Sequence, residues 1–142
     1  MKAVLFACVH NAGRSQMAAA LFNHLADPAR AHAMSAGTQP ANRVHSEVVE
    51  VMRELGVDLS SVVPVKLTDA LAATADLLVT MGCGEACPVV PGLVRDDWPL
   101  EDPKGLPLER VRQIRGEVER RVRRLLTERG WLAPPAHGCT RA

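Results

Sequence analysis

Residues 2–18 read Lys2-Ala3-Val4-Leu5-Phe6-Ala7-Cys8-Val9-His10-Asn11-Ala12-Gly13-Arg14-Ser15-Gln16-Met17-Ala18, and three kinds of local structure follow one another in them. Lys2 to Ala7 is a short apolar run of the kind that becomes a buried strand. From Gly13 to about Ala26, Met17, Leu21 and Leu25 recur at i, i+4 and i+8, the spacing of one helical face. Between them, Cys8 to Ser15 leaves a strand and enters a helix. Ligands of open parallel sheets bind beyond the carboxyl ends of strands. The first turn of a helix adds unpaired N–H groups and the positive end of its dipole. A loop so placed suits a tetrahedral oxyanion.

Working outward, strand-like and helix-like segments alternate. Ala31 to Ala36 reads as a second strand closed by Gly37, and Val44 to Leu55 as a helix stopped by Gly56. Thr68-Asp69 opens a short helix through Ala73, and Asp76 to Thr80 is a compact apolar strand. Gly82 to about Pro107 is dense in Gly and Pro, which predicts loops around one short strand near Leu93 to Arg95. Leu108 to Arg129 is a long amphipathic helix with Val111, Ile114, Val118, Val122 and Leu125 as its apolar stripe, ended by Gly130. Its arginines alternate with glutamates, which marks a solvated face. The expected architecture is α/β, a four-stranded parallel sheet flanked by helices on both faces. Residues 1–130 are expected to form a single domain, and 131–142, rich in Pro and Ala, a flexible C-terminal tail.

Composition narrows the function classes. The chain has 142 residues, 47% hydrophobic and 23% charged, with a formal net charge of +1. No unopposed basic run is present, so neither nucleic acid nor membrane is expected as a partner. No apolar run approaches the ~20 residues that span a bilayer. The start lacks the pattern of a secretion signal, so a cytoplasmic protein is expected. No long exposed apolar seam is evident, which favours a monomer. In a reducing compartment, the four cysteines, Cys8, Cys83, Cys87 and Cys139, are better read as catalytic or metal-binding than as structural bridges. Cys83, Cys87 and a histidine lack the second ligand pair of a usual zinc site, so no metal is expected. Cys139, in the tail, is read as incidental.

Within the loop, Cys8 is the expected nucleophile, because a helix N-terminus and a nearby arginine favour the thiolate. The planar fork of Arg14 can grip two oxygens of an oxyanion, and Ser15 can donate to the sulfur. Asn11 tolerates a left-handed backbone and can brace the loop, so that Val9, His10, Asn11, Ala12, Gly13, Arg14 and Ser15 turn toward one anion. His10 is expected to shape the loop, not to act as a base. His24, His32, His45 and His137 form no constellation and are assigned to surface or packing.

The segment Cys8 to Ser15, with Gln16-Met17-Ala18 behind it, resembles the active-site loop of the low-molecular-weight tyrosine phosphatase superfamily, and its arsenate-reductase branch in particular. Ser35-Ala36-Gly37-Thr38, Leu78-Val79-Thr80-Met81 with the following cysteine, and Trp98 through Glu101-Asp102-Pro103 resemble the superfamily's second strand, its strand leading to the redox segment, and its general-acid loop. A lone Asp-Pro would read as a turn. The resemblance makes Asp102 the general acid, ahead of Asp96, Asp97 and Glu101. It further implies a relay in which Cys8 attacks arsenate, Cys83 attacks Cys8 to release arsenite, and Cys87 attacks Cys83. The cofactor is then none bound, and the reductant is an external thiol, with thioredoxin favoured. Phosphate and sulfate would compete with arsenate.

Two departures qualify this. Cys83 and Cys87 are four positions apart, closer than in the best-known thioredoxin-coupled pattern. The run Met81 to Pro88 also resembles reductases served by a low-molecular-weight thiol such as mycothiol with a glutaredoxin-like partner, which would need Cys8 alone. Ala19 and Val62 to Val65 offer no acid where some relatives hold potassium, so no such site is expected. The competing activity is a phosphatase using Cys8, Arg14 and Asp102. Against it, the chain has no tyrosine and two phenylalanines, and Lys104-Gly105 stands where such phosphatases carry aromatic cleft walls.

Overall fold

A computed structural model describes residues 1–82 and 91–134. In chain order the elements are β1 Lys2–Cys8, α1 Arg14–Leu25, β2 Ala31–Gly37, α2 Ser46–Arg53, α3 Asp69–Ala72, β3 Leu77–Thr80, β4 Val94–Asp97 and α4 Leu108–Arg129. The four strands form one parallel sheet in the order β2-β1-β3-β4. The apolar run at the start therefore becomes an inner strand. Ala3 to Cys8 are all buried, and so are all four residues of β3. Continuous burial is what a parallel strand covered on both faces requires.

Side-chain alternation along β1 divides the core between the faces. Val4, Phe6 and Cys8 join the larger cluster, which takes in Met17, Leu21 and Phe22 of α1, Val48, Val51 and Met52 of α2, and the apolar stripe of α4. Leu5 and Ala7 join the smaller one with Ala36, Leu67, Leu78 and Ala72 of α3. Phe6 is the hub of the first face: its ring lies 6.0 Å from Phe22 and 5.5 Å from Trp98. The α1 side chain Asn23 blunts the outer edge of β2, donating to Ala33 O at 3.0 Å and accepting from Ala33 N at 2.8 Å.

The sequence expectations hold for the sheet and for α4, whose end is capped by Gly130 at φ +73. Other boundaries move: the fourth strand is Val94–Asp97 where Leu93 to Arg95 is expected, and the second helix ends at Arg53, not Leu55. The second helix begins at Ser46, not Val44, because His45 is extended (φ −58, ψ 138) and gives its amide to Ala12 O at 2.9 Å. The tail expected to be free from residue 131 is held at its start. Asp27 N donates to Trp131 O and Ala133 N to Leu25 O, and the Trp131 ring lies 6.2 Å from Phe22. An aromatic side chain has apolar area to bury, which the Pro/Ala composition of the tail concealed. Residues 135–142, with Cys139 and His137, lie outside the described residues.

Helices α2 and α4 are joined by charge as well as by packing. Glu54 accepts from Arg112 at 2.8 Å and from Arg115 at 2.7 Å, and Arg115 also donates to Val51 O. The hydrogen bonds from Arg112 and then Arg115 hold the Glu54 carboxyl at about 2, against 4.5 for a free one. A depressed carboxyl adds stability above its unfolded-state pKa and loses it as pH falls through the folded value. In urea titrations, the stability difference between the parent and Glu54→Gln should be full at about pH 6 and close progressively from about pH 4.5 toward pH 2. A gap that stays constant down to the acid end would show that the carboxylate does not link the helices.

Candidate active site

The loop between β1 and α1 gains its shape from what its carbonyls do. Cys8 O accepts from Thr38 N, Val9 O from Gln39 N, His10 O from Ala41 N, Ala12 O from His45 N and Gly13 O from Met17 N, at 2.8 to 3.2 Å. Asn11 O accepts from Gln16 Nε2 at 3.1 Å. Every carbonyl from residue 8 to residue 13 is thus tied to the surrounding chain. Among the described residues no peptide bond is cis, and across a trans peptide N–H and C=O point opposite ways. The amides of Val9 to Arg14 therefore turn inward, away from those partners. Among the described residues, none of them donates to an acceptor. Ser15 adds the free amide of a first helical turn.

Asn11 makes this bend possible. It is fully buried and, among the described residues, is the non-glycine with positive φ, at 49°. Its side chain sets the polarity around the sulfur. Asn11 Oδ1 accepts from Val65 N at 2.9 Å and from Gln16 Nε2 at 3.0 Å. A backbone amide can only donate, so the oxygen of Asn11 must face Val65. Its Nδ2 is then left to donate to Ser15 Oγ at 2.8 Å. With that lone pair engaged, the Ser15 hydroxyl hydrogen is free to point at Cys8 Sγ, 2.8 Å away. A hydroxyl donated to sulfur supports a sulfur acting as an acceptor, the role of a thiolate.

Arg14 is 8% exposed and is held from two sides. Its Nη1 donates to Leu100 O at 3.0 Å, and its Nη2 lies 3.8 Å from Asp102 Oδ2. A Cβ on Gly82 would run into Nη1, so the chain just after β3 must be glycine for the guanidinium to lie there; φ +96 at Gly82 also favours one. Gly37 plays a similar part on the other flank, where a Cβ would come within 2.6 Å of Val9 O and 2.8 Å of Asn11 N.

The structure distinguishes among the four acidic candidates. Asp97 accepts from Thr80 Oγ1 at 2.7 Å, Asp96 from the Trp98 indole at 3.0 Å, and Glu101 from Arg110 at 2.7 Å. Asp102 alone of the four lies beside Arg14, on a turn where Lys104 N donates to its Oδ1 at 3.1 Å. That turn is clamped. Glu101 ties it to α4, Leu100 O ties it to Arg14, and Glu47 of α2 accepts from Gly105 N at 2.7 Å. The Glu47 carboxyl is held below its ordinary value by its own amide, the Gly105 amide and the Ser46 hydroxyl.

His45 corrects the sequence reading, which gave it no place in a constellation. It stands between the loop and the Asp102 turn, with its ring 3.5 Å from where a Gly13 Cβ would be. Burial lowers its pKa, while Asp102 and then Glu47 pull it partway back. It is therefore neutral near pH 7. Nothing local in the sequence marks His45 or Glu47, because the Asp102 turn that both meet lies more than fifty residues on, with Glu47 and Gly105 58 apart. His10 Nδ1 lies 3.1 Å from Gln39 O, bracing the loop from outside. Cys83 and Cys87 lie outside the described residues. Among the described residues, no three His, Cys, Asp or Glu side chains converge as a metal cluster.

This geometry has relatives. Residues 3–130 match the low molecular weight phosphotyrosine protein phosphatase family. A Halobacterium salinarum protein provisionally named arsenate reductase is 40% identical over 129 residues, 87% of this chain and 89% of that one. The glutaredoxin arsenate reductase of Synechocystis is 34% identical over 131 residues, 90% of this chain and 98% of its own. Among solved structures, a Corynebacterium glutamicum thioredoxin-dependent arsenate reductase superposes with TM-score 0.77 at 40% identity. This chain spans 90% of its own length and 61% of that one in the match.

The contact of Gly82 with Arg14 predicts a selective loss. Gly82→Ala should weaken phosphate binding by about tenfold or more in calorimetry, since a charged hydrogen bond contributes about 1.5–3 kcal/mol. Gly56→Ala is the control. Gly56 has a similar positive φ of 79 but nothing within 4 Å of an added Cβ, so that variant should lose stability and keep its affinity. Equal phosphate affinities in the two variants would remove Gly82 from the site.

Proposed function

The chain belongs to the low molecular weight phosphotyrosine protein phosphatase family, and from that premise we propose that it is an arsenate reductase whose nucleophile is Cys8. The observation that carries this reading is the ring of inward-turned amides from Val9 to Arg14 around a buried sulfur. The relatives named above support the arsenate assignment. Hydrolysis of a phosphate ester needs one nucleophile. Reduction of arsenate needs two electrons, which the further thiols Cys83 and Cys87 can supply. The clamped turn beside the loop continues as Lys104-Gly105, so it offers no aromatic wall for a phosphotyrosine ring.

The chemistry runs as follows. Arsenate docks on the amides of Val9 to Ser15, with the Arg14 fork on two of its oxygens. The Cys8 thiolate attacks arsenic, and one arsenate hydroxyl leaves as water on receiving a proton from Asp102. Developing negative charge falls on oxygens already facing fixed donors, so little reorganisation is needed. The Cys83 thiolate then attacks Cys8 Sγ. The S–As bond breaks, its electron pair passes to arsenic, and arsenite departs as a Cys8–Cys83 disulfide forms. Cys87 attacks Cys83, freeing Cys8 and leaving a Cys83–Cys87 disulfide for thioredoxin to reduce. The protein binds no cofactor of its own in this scheme. Its thiols require a reducing compartment, the cytoplasm.

Arsenate-dependent NADPH oxidation with thioredoxin and thioredoxin reductase tests this. Cys8→Ser should abolish turnover. Asp102→Asn should lower kcat by about 10²- to 10⁴-fold, the usual range for a general acid. Cys83→Ser and Cys87→Ser should each stop multiple turnover with thioredoxin, and peptide mapping of the oxidised parent should find Cys83 joined to Cys87. Full thioredoxin-driven turnover in either of these two variants would refute the relay.

A further inference from the structure

The acid turn hangs on few contacts. The Asp102 side chain is 43% exposed and lies 3.8 Å from Arg14, too far for a hydrogen bond. Among the described residues, the one hydrogen bond to its carboxylate comes from Lys104 N, at 3.1 Å. The place of the carboxylate therefore follows the place of that amide. Lys104 belongs to a reverse turn in which Leu106 N donates to Pro103 O at 3.1 Å, and Gly105, the third residue, has φ +73. A positive φ at that position is what a type II turn requires. The turn consumes the Leu106 amide and leaves the Gly105 amide for a partner outside it. Glu47 Oε2 accepts it at 2.7 Å, one residue along from the amide that holds Asp102.

Glu47 stands in the first turn of α2, where a carboxylate meets free amides and the positive end of the dipole. Its own amide, then the Gly105 amide and the Ser46 hydroxyl, outweigh the cost of burial and keep the carboxyl ionised at neutral pH. Two residues earlier on the same chain, His45 N donates to Ala12 O at 2.9 Å. The start of α2 thus grips the oxyanion loop through His45 and the acid turn through Glu47. The two parts also touch: a Cβ on Gly13 would meet Pro103 Cγ at 2.7 Å, so the turn rests on the loop there. The tie to α4 is weaker. The Glu101 and Arg110 side chains are 44% and 49% exposed, and a pair so open to water is screened by salt.

We propose that Glu47 is a positioning residue for the acid step: by holding the Gly105 amide from α2, it fixes the reach of the Asp102 carboxyl to the oxyanion docked over Cys8. The inference rests on the arsenate-reductase reading with Asp102 as the acid. Glu47 touches neither the oxyanion nor the sulfur. It acts on kcat through Asp102 and leaves oxyanion affinity to the loop amides and Arg14. What the Gly105 amide needs is an oxygen acceptor at the right reach, which a glutamine keeps and an alanine lacks. Misplacing a reacting group by a fraction of its contact distance is enough to slow the step, because the productive geometry is narrow.

Single-turnover arsenite formation by the reduced protein reads the chemical steps without thioredoxin. Glu47→Ala should slow it by about tenfold, with the phosphate dissociation constant within about threefold of the parent's. Glu47→Gln should return the rate to within about threefold of the parent's. In the Asp102→Asn background, Glu47→Ala should cost less than about twofold, because a residue that acts through another has nothing to act on once that other is gone. In amide NMR spectra, the Gly105 proton should move upfield in Glu47→Ala as its carboxylate acceptor is lost. An unslowed Glu47→Ala, the same loss in both backgrounds, equal losses for alanine and glutamine, phosphate affinity that falls as far as the rate, or an unmoved Gly105 resonance would each overturn the proposal. Asp102→Asn at the parent's rate would remove the acid step and the proposal with it. If the parent forms no arsenite, the arsenate-reductase reading fails on its own account, and the Gly105 resonance, which needs no turnover, still decides whether Glu47 seats the turn.

Discussion

One hydrogen bond, from the backbone amide of Val65 to the side-chain Oδ1 of Asn11, sets the direction of the buried network around Cys8. Because that donor cannot be reversed, Asn11 has one orientation, Ser15 receives its hydrogen bond from Asn11, and the Ser15 hydroxyl faces the sulfur. Burial gives the arrangement its strength. Asn11 and Ser15 are both fully buried, where an unpaired polar group costs about 1–3 kcal/mol. A flipped Asn11 would set an amino group against the Val65 amide and leave Ser15 without its donor. Asn11 therefore has one satisfied orientation, and it leaves the Ser15 hydroxyl free to donate to the Cys8 sulfur.

Around this fixed centre, the fold assembles pieces that are remote in sequence. The carbonyls of the oxyanion loop are anchored by the chain after β2 and by the residue before α2, so sheet and helix together aim the amides inward. Arg14 is placed between the glycine after β3 and the carbonyl of Leu100. The acid turn is held by α2 through Glu47 and by α4 through Glu101–Arg110. Asp102 is partly exposed and 3.8 Å from Arg14, which leaves its carboxyl available to a docked oxyanion. The three neighbouring acids serve the scaffold: Asp96 holds Trp98 under the sheet, Asp97 holds Thr80, and Glu101 holds α4. Charge also divides by role across the molecule. On α4, the arginines from Arg110 to Arg124 are paired with glutamates of the same helix or of its neighbours. Beside Cys8, Arg14 is held instead by the Leu100 carbonyl and the Asp102 carboxylate.

The sequence by itself determined whatever depends on near neighbours along the chain. Period and run length placed β1, α1, β3 and α4. The order strand, cysteine, loop, arginine, helix marked the candidate oxyanion site, because that geometry is built within eight consecutive residues. Asn11 was legible as the left-handed position because few other residue types accept one. Only the tertiary structure decided the rest, since the pairings involved span tens of residues and carry no periodic signature. It showed that His45 stands against the acid turn, that Glu47 holds that turn, that Gly82 makes room for Arg14, and that Trp131 packs back on Phe22. It also set Asp102 beside Arg14 and gave the other three acids partners elsewhere in the fold. A carboxylate's role follows from which donors surround it in space, and those donors lie on other elements of the fold.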